Sequence, residues 1–220
     1  MRSYIHSLVE KGYLIRTRGG AHLAFHPAIL KRQKHRFEIK QSIAKAAADL
    51  IGNGDSIMVE AGTTTALIGR YLLGKQNIKV VTDSTLLLPY ARSNPSLHLS
   101  FTGGSFQPEA ESMTGPMAVA HLEQFHAKSA FIGTDGFSIE NGLTAYMMEA
   151  ADVVRAMCKR SERSILLADS SKWNRTGFAR IIPLGDINIL ITDEGFPYEA
   201  RKKLKKLGVG LIITSSKEEK

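Results

Sequence analysis

The chain has 220 residues, 43% hydrophobic and 23% charged, with a formal net charge of +8. That is room for one large domain, or a domain plus a small module, and it is too apolar for a disordered chain. A single cysteine, Cys158, excludes a disulfide framework and any multi-cysteine zinc or iron–sulfur site. No apolar run approaches the roughly 18 residues of a membrane span. The first residues carry charges inside their apolar stretch and do not read as a signal peptide. A reducing, cytoplasmic setting without a membrane partner is the default expectation.

The charge is uneven. Residues 1–40 hold nine basic side chains (Arg2, Lys11, Arg16, Arg18, Lys31, Arg32, Lys34, Arg36, Lys40) against Glu10 and Glu38, so +7 of the total lies there. A basic head on a nearly neutral body suits a polyanion partner. A solvated basic arm is the alternative.

Ser3 to Lys11 reads as a helix with Ile5, Leu8 and Val9 on one face, stopped at Gly12. Two short apolar-polar stretches then flank Gly19–Gly20, a hairpin signal. Helix, glycine stop and basic hairpin together are the back half of a winged helix-turn-helix, whose front half would lie before Met1. Residues 1–26 are therefore expected to be a partial DNA-binding module, and 27–220 a separate domain. After His26–Pro27 the pattern predicts a helix from Ala28 to about Ile51, ended by Gly52 and Gly54.

Beyond it, strands are predicted at 56–60, 79–83, 98–103, 130–135, 164–169, 188–193 and 210–215. Helices are predicted at 63–73, 85–92, 116–125, 147–160 and 198–207. Short continuous apolar strands alternating with helices predict an α/β fold, a mostly parallel sheet covered by helices.

Several strands end in polar clusters, and parallel strands bring such ends to one rim, where open α/β sheets bind ligands. Glu60-Ala-Gly62-Thr63-Thr64-Thr65 could cradle a phosphate on free amides and hydroxyls, or could be an ordinary helix cap. Thr82-Asp83-Ser84 reads as a strand end and cap. Gly103–Gly104 is either a turn or a close backbone approach to a ligand. Asp135, between Gly133-Thr134 and Gly136, could accept hydroxyl hydrogen bonds, act as a general base or lead a turn. Lys172 could offer a mobile cation, or be a plain surface lysine. Glu149 could face the same rim or stabilise its own helix end. The methionines 113, 117, 147, 148 and 157 read as core filler. No metal-ligand set and no cofactor motif is expected.

The ordered set GYLIRTRGGA, EAGTTT, VVTDS, FTGGSF, GPMA, KSAFIGTDG, GLT, ADSSKW and ILITD resembles the DeoR-type sugar-responsive transcriptional repressors over essentially the whole chain. The resemblance implies a winged helix-turn-helix joined to a sensor domain, with a fold similar to ribose-phosphate isomerases, glucosamine-phosphate deaminases and CoA-transferases. It also implies a phosphorylated sugar or sugar alcohol as effector. That effector would be lined by the Glu60–Thr65 loop, Thr82–Ser84, Gly103–Gly104, Asp135–Gly136 and Lys172. The family usually has Asp where this chain has Glu60. At the DNA end only Arg2 matches the arginine pair of the family's recognition helix, so weak DNA binding is expected of this chain.

The expected function is a transcriptional regulator, a repressor of a sugar-utilisation operon. Its partners would be the effector, a second copy of itself, and operator DNA held through Arg2, Arg16 and Arg18. The rival expectation is a sugar-phosphate isomerase or deaminase with Asp135 as base and Lys172 as electrostatic partner.

Overall fold

The structure, a computed structural model, describes residues 6, 7, 9 and 14–215. His6, Ser7 and Val9 are helical, while Arg2 and the rest of the helix expected over Ser3–Lys11 lie outside the described residues. The basic hairpin forms: β1 (Leu14–Thr17) pairs antiparallel with β2 (Gly20–Leu23), and Arg18 and Gly19 make the turn. Arg16 and Arg18 are exposed on it.

The long helix expected from Ala28 is two helices, α1 (Pro27–Lys34) and α2 (Phe37–Asp49). His35 is extended and Arg36 adopts the left-handed conformation at φ 54°, ψ 40°. A non-glycine residue there costs about 1 kcal/mol or more, so tertiary contacts of Arg36 must hold it. Those contacts lie at the rim described below.

Strands β3 (Ser56–Val59), β4 (Ile78–Thr82) and β5 (Leu97–Phe101) follow, joined by a 3₁₀ turn over Thr65–Tyr71 and by α3 (Leu88–Ser93). A short hairpin, β6 (Ser105–Gln107) and β7 (Ser112–Thr114), leads into α4 (Pro116–Leu122). Next come β8 (Ser129–Ile132), β9 (Gly136–Ser138), β10 (Gly142–Ala145), α5 (Met148–Lys159), β11 (Ser164–Leu167) and β12 (Ala179–Arg180). The chain then runs through β13 (Ile189–Asp193), α6 (Tyr198–Lys206) and β14 (Gly210–Thr214).

The seven strands expected from the apolar runs form one parallel sheet in the order β14-β13-β11-β8-β3-β4-β5. Pleating sorts its side chains: Ile57, Val59, Phe131, Ile165, Leu167 and Ile191 pack with Ile43, Ala44 and Ala47 of α2 on one face. Met58, Ala130, Ile132, Leu166 and Leu190 pack under α4, α5 and α6 on the other. Burial on both faces is why these strands read as unbroken apolar runs. The small sheet β12-β10-β9 lies within the second core.

Two expected helices are altered. The segment predicted as 63–73 is a 3₁₀ helix over Thr65–Tyr71, and a Cβ on Gly69 would stand 2.7 Å from the Tyr90 ring. The segment predicted as 85–92 opens with a 3₁₀ turn and becomes α-helical at Leu88, placing Pro89 in the first turn, where its missing amide is harmless. The methionines also divide. Met157 is buried as core filler, whereas Met117 and Met148 are 71% and 52% exposed. No helix among the described residues is long and apolar enough to cross a membrane.

Candidate functional site

Strand order reverses direction at β3, whose neighbours are β4 and β8. Ligand crevices of open α/β sheets lie outside the carboxyl ends of strands at such a switch point. The two carboxyl ends there are tied together: the Gly133 amide, after β8, donates to Glu60 Oε2, after β3, at 2.9 Å. One strand over, Asp83 Oδ1 accepts from the Ala61 amide at 2.8 Å. Asp135 Oδ2 accepts from the Tyr146 amide at 2.9 Å. The charges of Asp135 and Lys172 both act on Glu60, and that of Asp135 on Lys172. Glu60, Asp83, Asp135 and Lys172, separated by up to 112 positions in sequence, therefore share one rim.

The 60–65 loop is shaped by its own hydrogen bonds. Thr65 Oγ1 donates to the carbonyls of Glu60 (2.7 Å) and Gly62 (3.0 Å), and the Ala66 amide donates to Gly62 O. The amides of Gly62, Thr63 and Thr64 have no protein acceptor among the described residues. Three consecutive uncommitted amides are donors of the kind that an anion can satisfy. The hydroxyl of Thr82 is committed to Val59 O at 2.6 Å, and the Ser84 amide donates to Thr82 Oγ1. Both residues thus hold the rim's backbone. Ser84 Oγ is buried without a partner among the described residues.

Glycines in these motifs serve close packing. A Cβ on Gly133 would stand 2.9 Å from Glu60 Oε2, and one on Gly62 3.1 Å. Gly62 and Gly133 therefore make room for the long Glu60 side chain. A Cβ on Gly136 would fall 2.3 Å from the Arg175 carbonyl, in the loop that carries Lys172. We expect Gly136→Ala to displace that loop, lowering stability by roughly 2 kcal/mol or more. Its urea midpoint should fall, and an unchanged midpoint would show that the loop gives way freely. Gly104 has φ 122°, and a Cβ there would stand 2.4 Å from the Thr114 carbonyl, so two backbone segments pass close at this point. Gly103 donates its amide to His121 Nδ1 at 3.3 Å.

Glu149 does not join the cluster. It is exposed in the first turn of α5, in a groove of about 750 Å³ with Gly115, Glu123, Asp152, Arg155 and Lys159. An acidic first-turn residue favours its own helix end, which accounts for its position. Arg2 lies outside the described residues, and Arg16 and Arg18 sit on the hairpin.

The rim also takes cations from the basic first 40 residues. Arg36 Nη1 stands 3.1 Å from Asp169 Oδ1 and Nη2 3.2 Å from Asp193 Oδ2, with Ser170 Oγ at 3.3 Å. Asp193 also accepts from the Ser170 amide and hydroxyl and the Gly195 amide. Burial works against its charge, but these donors and Arg36 outweigh it and hold its carboxyl below the usual range. Lys40 is buried with its Nζ donating to the Arg32 carbonyl, and burial brings its pKa down to about 8. Burial likewise lowers Lys172, partly opposed by Asp135. An arginine in the left-handed region just before an apolar helical stripe was the missed signal, because spacing alone does not reveal that conformation.

Burial, with Asp135 nearby, raises Glu60 to about 7, and burial with Glu60 raises Asp83 well above an ordinary aspartate. The two carboxyls are therefore reluctant to ionise together. Below pH 4.5 Glu60 is protonated folded or unfolded. Between 4.5 and about 7 the folded state keeps a proton that the unfolded chain releases, so this contribution falls as pH rises. Glu60→Gln should then raise the melting temperature by roughly 3–8 °C at pH 8, with the gain shrinking towards pH 5. A thermal melt series across pH checks this, and a gain independent of pH would refute it.

A family model of the DeoR C-terminal sensor domain matches residues 35–194. The HTH-type transcriptional repressor GlcR of Bacillus subtilis is 33% identical over 218 residues, covering 97% of this chain and 83% of that protein. Among solved structures, the tetrameric eIF2B-beta2-delta2 complex from C. thermophilum has a similar fold, with TM-score 0.50 and 10% identity over 70% of this chain and 55% of that one. Ribose 5-phosphate isomerase from Methanocaldococcus jannaschii aligns with TM-score 0.44 and 18% identity, over 61% of this chain and 53% of that one. The chain thus spans about half the length of these solved structures. With the sensor-domain match running over most of the chain and a repressor 33% identical over nearly all of it, the chain belongs to the DeoR family of transcriptional regulators.

Proposed function

We propose that the rim receives a phosphorylated sugar or sugar alcohol, and that its occupancy sets how tightly an N-terminal helix-turn-helix module holds operator DNA. One observation carries this reading: two complementary chemistries meet at the switch point. The uncommitted Gly62–Thr64 amides and Lys172 supply donors and charge for a phosphate. Glu60 and Asp135 each have one carboxyl oxygen engaged by a backbone amide and another left to accept hydroxyl hydrogen bonds. A phosphorylated polyol needs both.

We read residues before Pro27 as part of the DNA module, since the hairpin is largely exposed whereas Ile29 is fully buried against the sensor body. Arg16 and Arg18 on the hairpin would contact DNA phosphates, with Arg2 beside the groove. The protein would repress a sugar-utilisation operon as a homo-oligomer whose paired modules match a symmetric operator. The named relatives are regulators, which favours a receptor over an isomerase. Titration calorimetry against phosphorylated sugars, sugar alcohols and their unphosphorylated forms tests this. Binding restricted to phosphorylated members is expected, and silence across the whole panel would overturn it.

A further inference from the structure

We infer that Arg32, on α1, is a second cation of the rim, so that an anion bound there bridges the sheet's carboxyl edge to the helix that follows the hairpin. This deepens the effector-site reading and rests on it.

The placement of α1 carries the argument. Ile29 is fully buried in a small cluster with Ala66 and Leu86, and Phe25 packs against it. Ala66 follows the threonine loop directly, and Leu86 lies two residues after Ser84. So α1 rests on the threonine loop with its open amides and on the segment after β4 that holds the rim's backbone. Two basic side chains pin its carboxyl end. Arg36 reaches across to Asp169 and Asp193, and Lys40 donates to the carbonyl of Arg32 itself. That carbonyl is one of the helix's otherwise unpaired last four, so the bond fixes where residue 32 sits. Arg32 is exposed, and its guanidinium makes no hydrogen bond or ion pair among the described residues. Its charge nevertheless acts on Glu60, Lys172 and Lys40.

A free guanidinium beside a second partnerless cation, Lys172, and three open amides has the composition of a phosphate clamp. The fork of Arg32 can take two phosphate oxygens at once. Because it arrives from α1, its engagement favours one orientation of that helix, and through it of the β1–β2 hairpin. A bound anion thereby has a differential contact with the segment leading to the DNA module, which coupling between two sites requires.

The test uses inorganic phosphate as probe on the whole chain. Calorimetric titration is run on the unaltered protein, Arg32→Ala, Lys172→Ala and Lys34→Ala, with amide exchange of residues 27–34 measured with and without phosphate. The expected result is a loss of about tenfold or more in affinity for Arg32→Ala and for Lys172→Ala, with Lys34→Ala unchanged. Phosphate should slow exchange in α1 of the unaltered protein but not of Arg32→Ala. Affinity lost in Lys172→Ala but kept in Arg32→Ala overturns this inference while leaving the effector-site reading standing. No phosphate binding by the unaltered protein overturns both. Arg32 bears no structural partner, so its variant is expected to melt with the parent, and a melt checks that.

Discussion

Arg36→Ala is expected to destabilise the fold by about 2–4 kcal/mol, the largest single-residue effect anticipated outside the hydrophobic core. Arg36 is the cation for Asp169 and Asp193, whose side chains are 5% and 8% exposed. Removing it strands two buried carboxylates at once. Full loss of a partner from a buried pair costs about 3–5 kcal/mol. Here the remaining donors soften the loss: Ser170 and Gly195 still serve Asp193, and the Ser171 amide still serves Asp169. Urea unfolding at pH 7 should show a lower midpoint with an unchanged slope.

The pH dependence follows from Asp193, held below the ordinary aspartate value of 3.8. A carboxyl with a depressed folded pKa contributes stability above that value, and the contribution disappears as pH falls through the folded pKa. The gap between the two proteins should therefore persist at neutral pH and close on acidification below 3.8. Arg36→Gly separates backbone from side chain. Glycine accepts φ 54° without penalty, so it should be more stable than the alanine variant by roughly 1 kcal/mol. Equal stabilities would mean that the ion pairs do not hold Arg36 in its left-handed conformation.

The sheet was legible because burial on both faces writes a strand as an unbroken apolar run. SILL at 164–167 and SAFI at 129–132 leave no other reading once Gly and polar residues bracket them. The rim was legible for a topological reason, since parallel strands deliver their carboxyl ends to one edge whatever their order. What escaped was set by long-range contact. The stripe from Phe37 to Ile51 continues in phase with residues before it, so nothing local marks the break at Arg36, which ion pairs 133 and 157 positions away sustain. For the same reason the charge of residues 1–40 could be counted but not partitioned: Arg36 and Lys40 belong to the sensor body, not to a DNA-facing arm. Glu149 had two readings in the sequence, and its place in the first turn of α5 suits the one in which it stabilises its own helix end.

Lys172→Ala is expected to weaken binding of a phosphorylated sugar by roughly 30-fold, equivalent to about 2 kcal/mol, while changing stability little. The stability half follows from the Lys172 amine making no hydrogen bond or ion pair among the described residues, although burial lowers its pKa. An amine that is partly desolvated and unpaired gives the apo protein nothing to lose. The affinity half follows because a bound phosphate would give this amine its missing partner. Ligand binding should also raise the pKa of Lys172, so binding weakens as pH rises through the range where the free protein has begun to release that proton and the complex must take it back. The affinity of the unaltered protein should accordingly decline at alkaline pH below the ordinary lysine value of 10.5, and that decline should be absent in Lys172→Ala. Thr64→Ala removes a hydroxyl but leaves its amide, so a smaller loss of roughly three- to tenfold is expected. The ranking is decisive. A larger effect at Thr64 than at Lys172 would place the phosphate's charge recognition on the loop alone and remove Lys172 from the site.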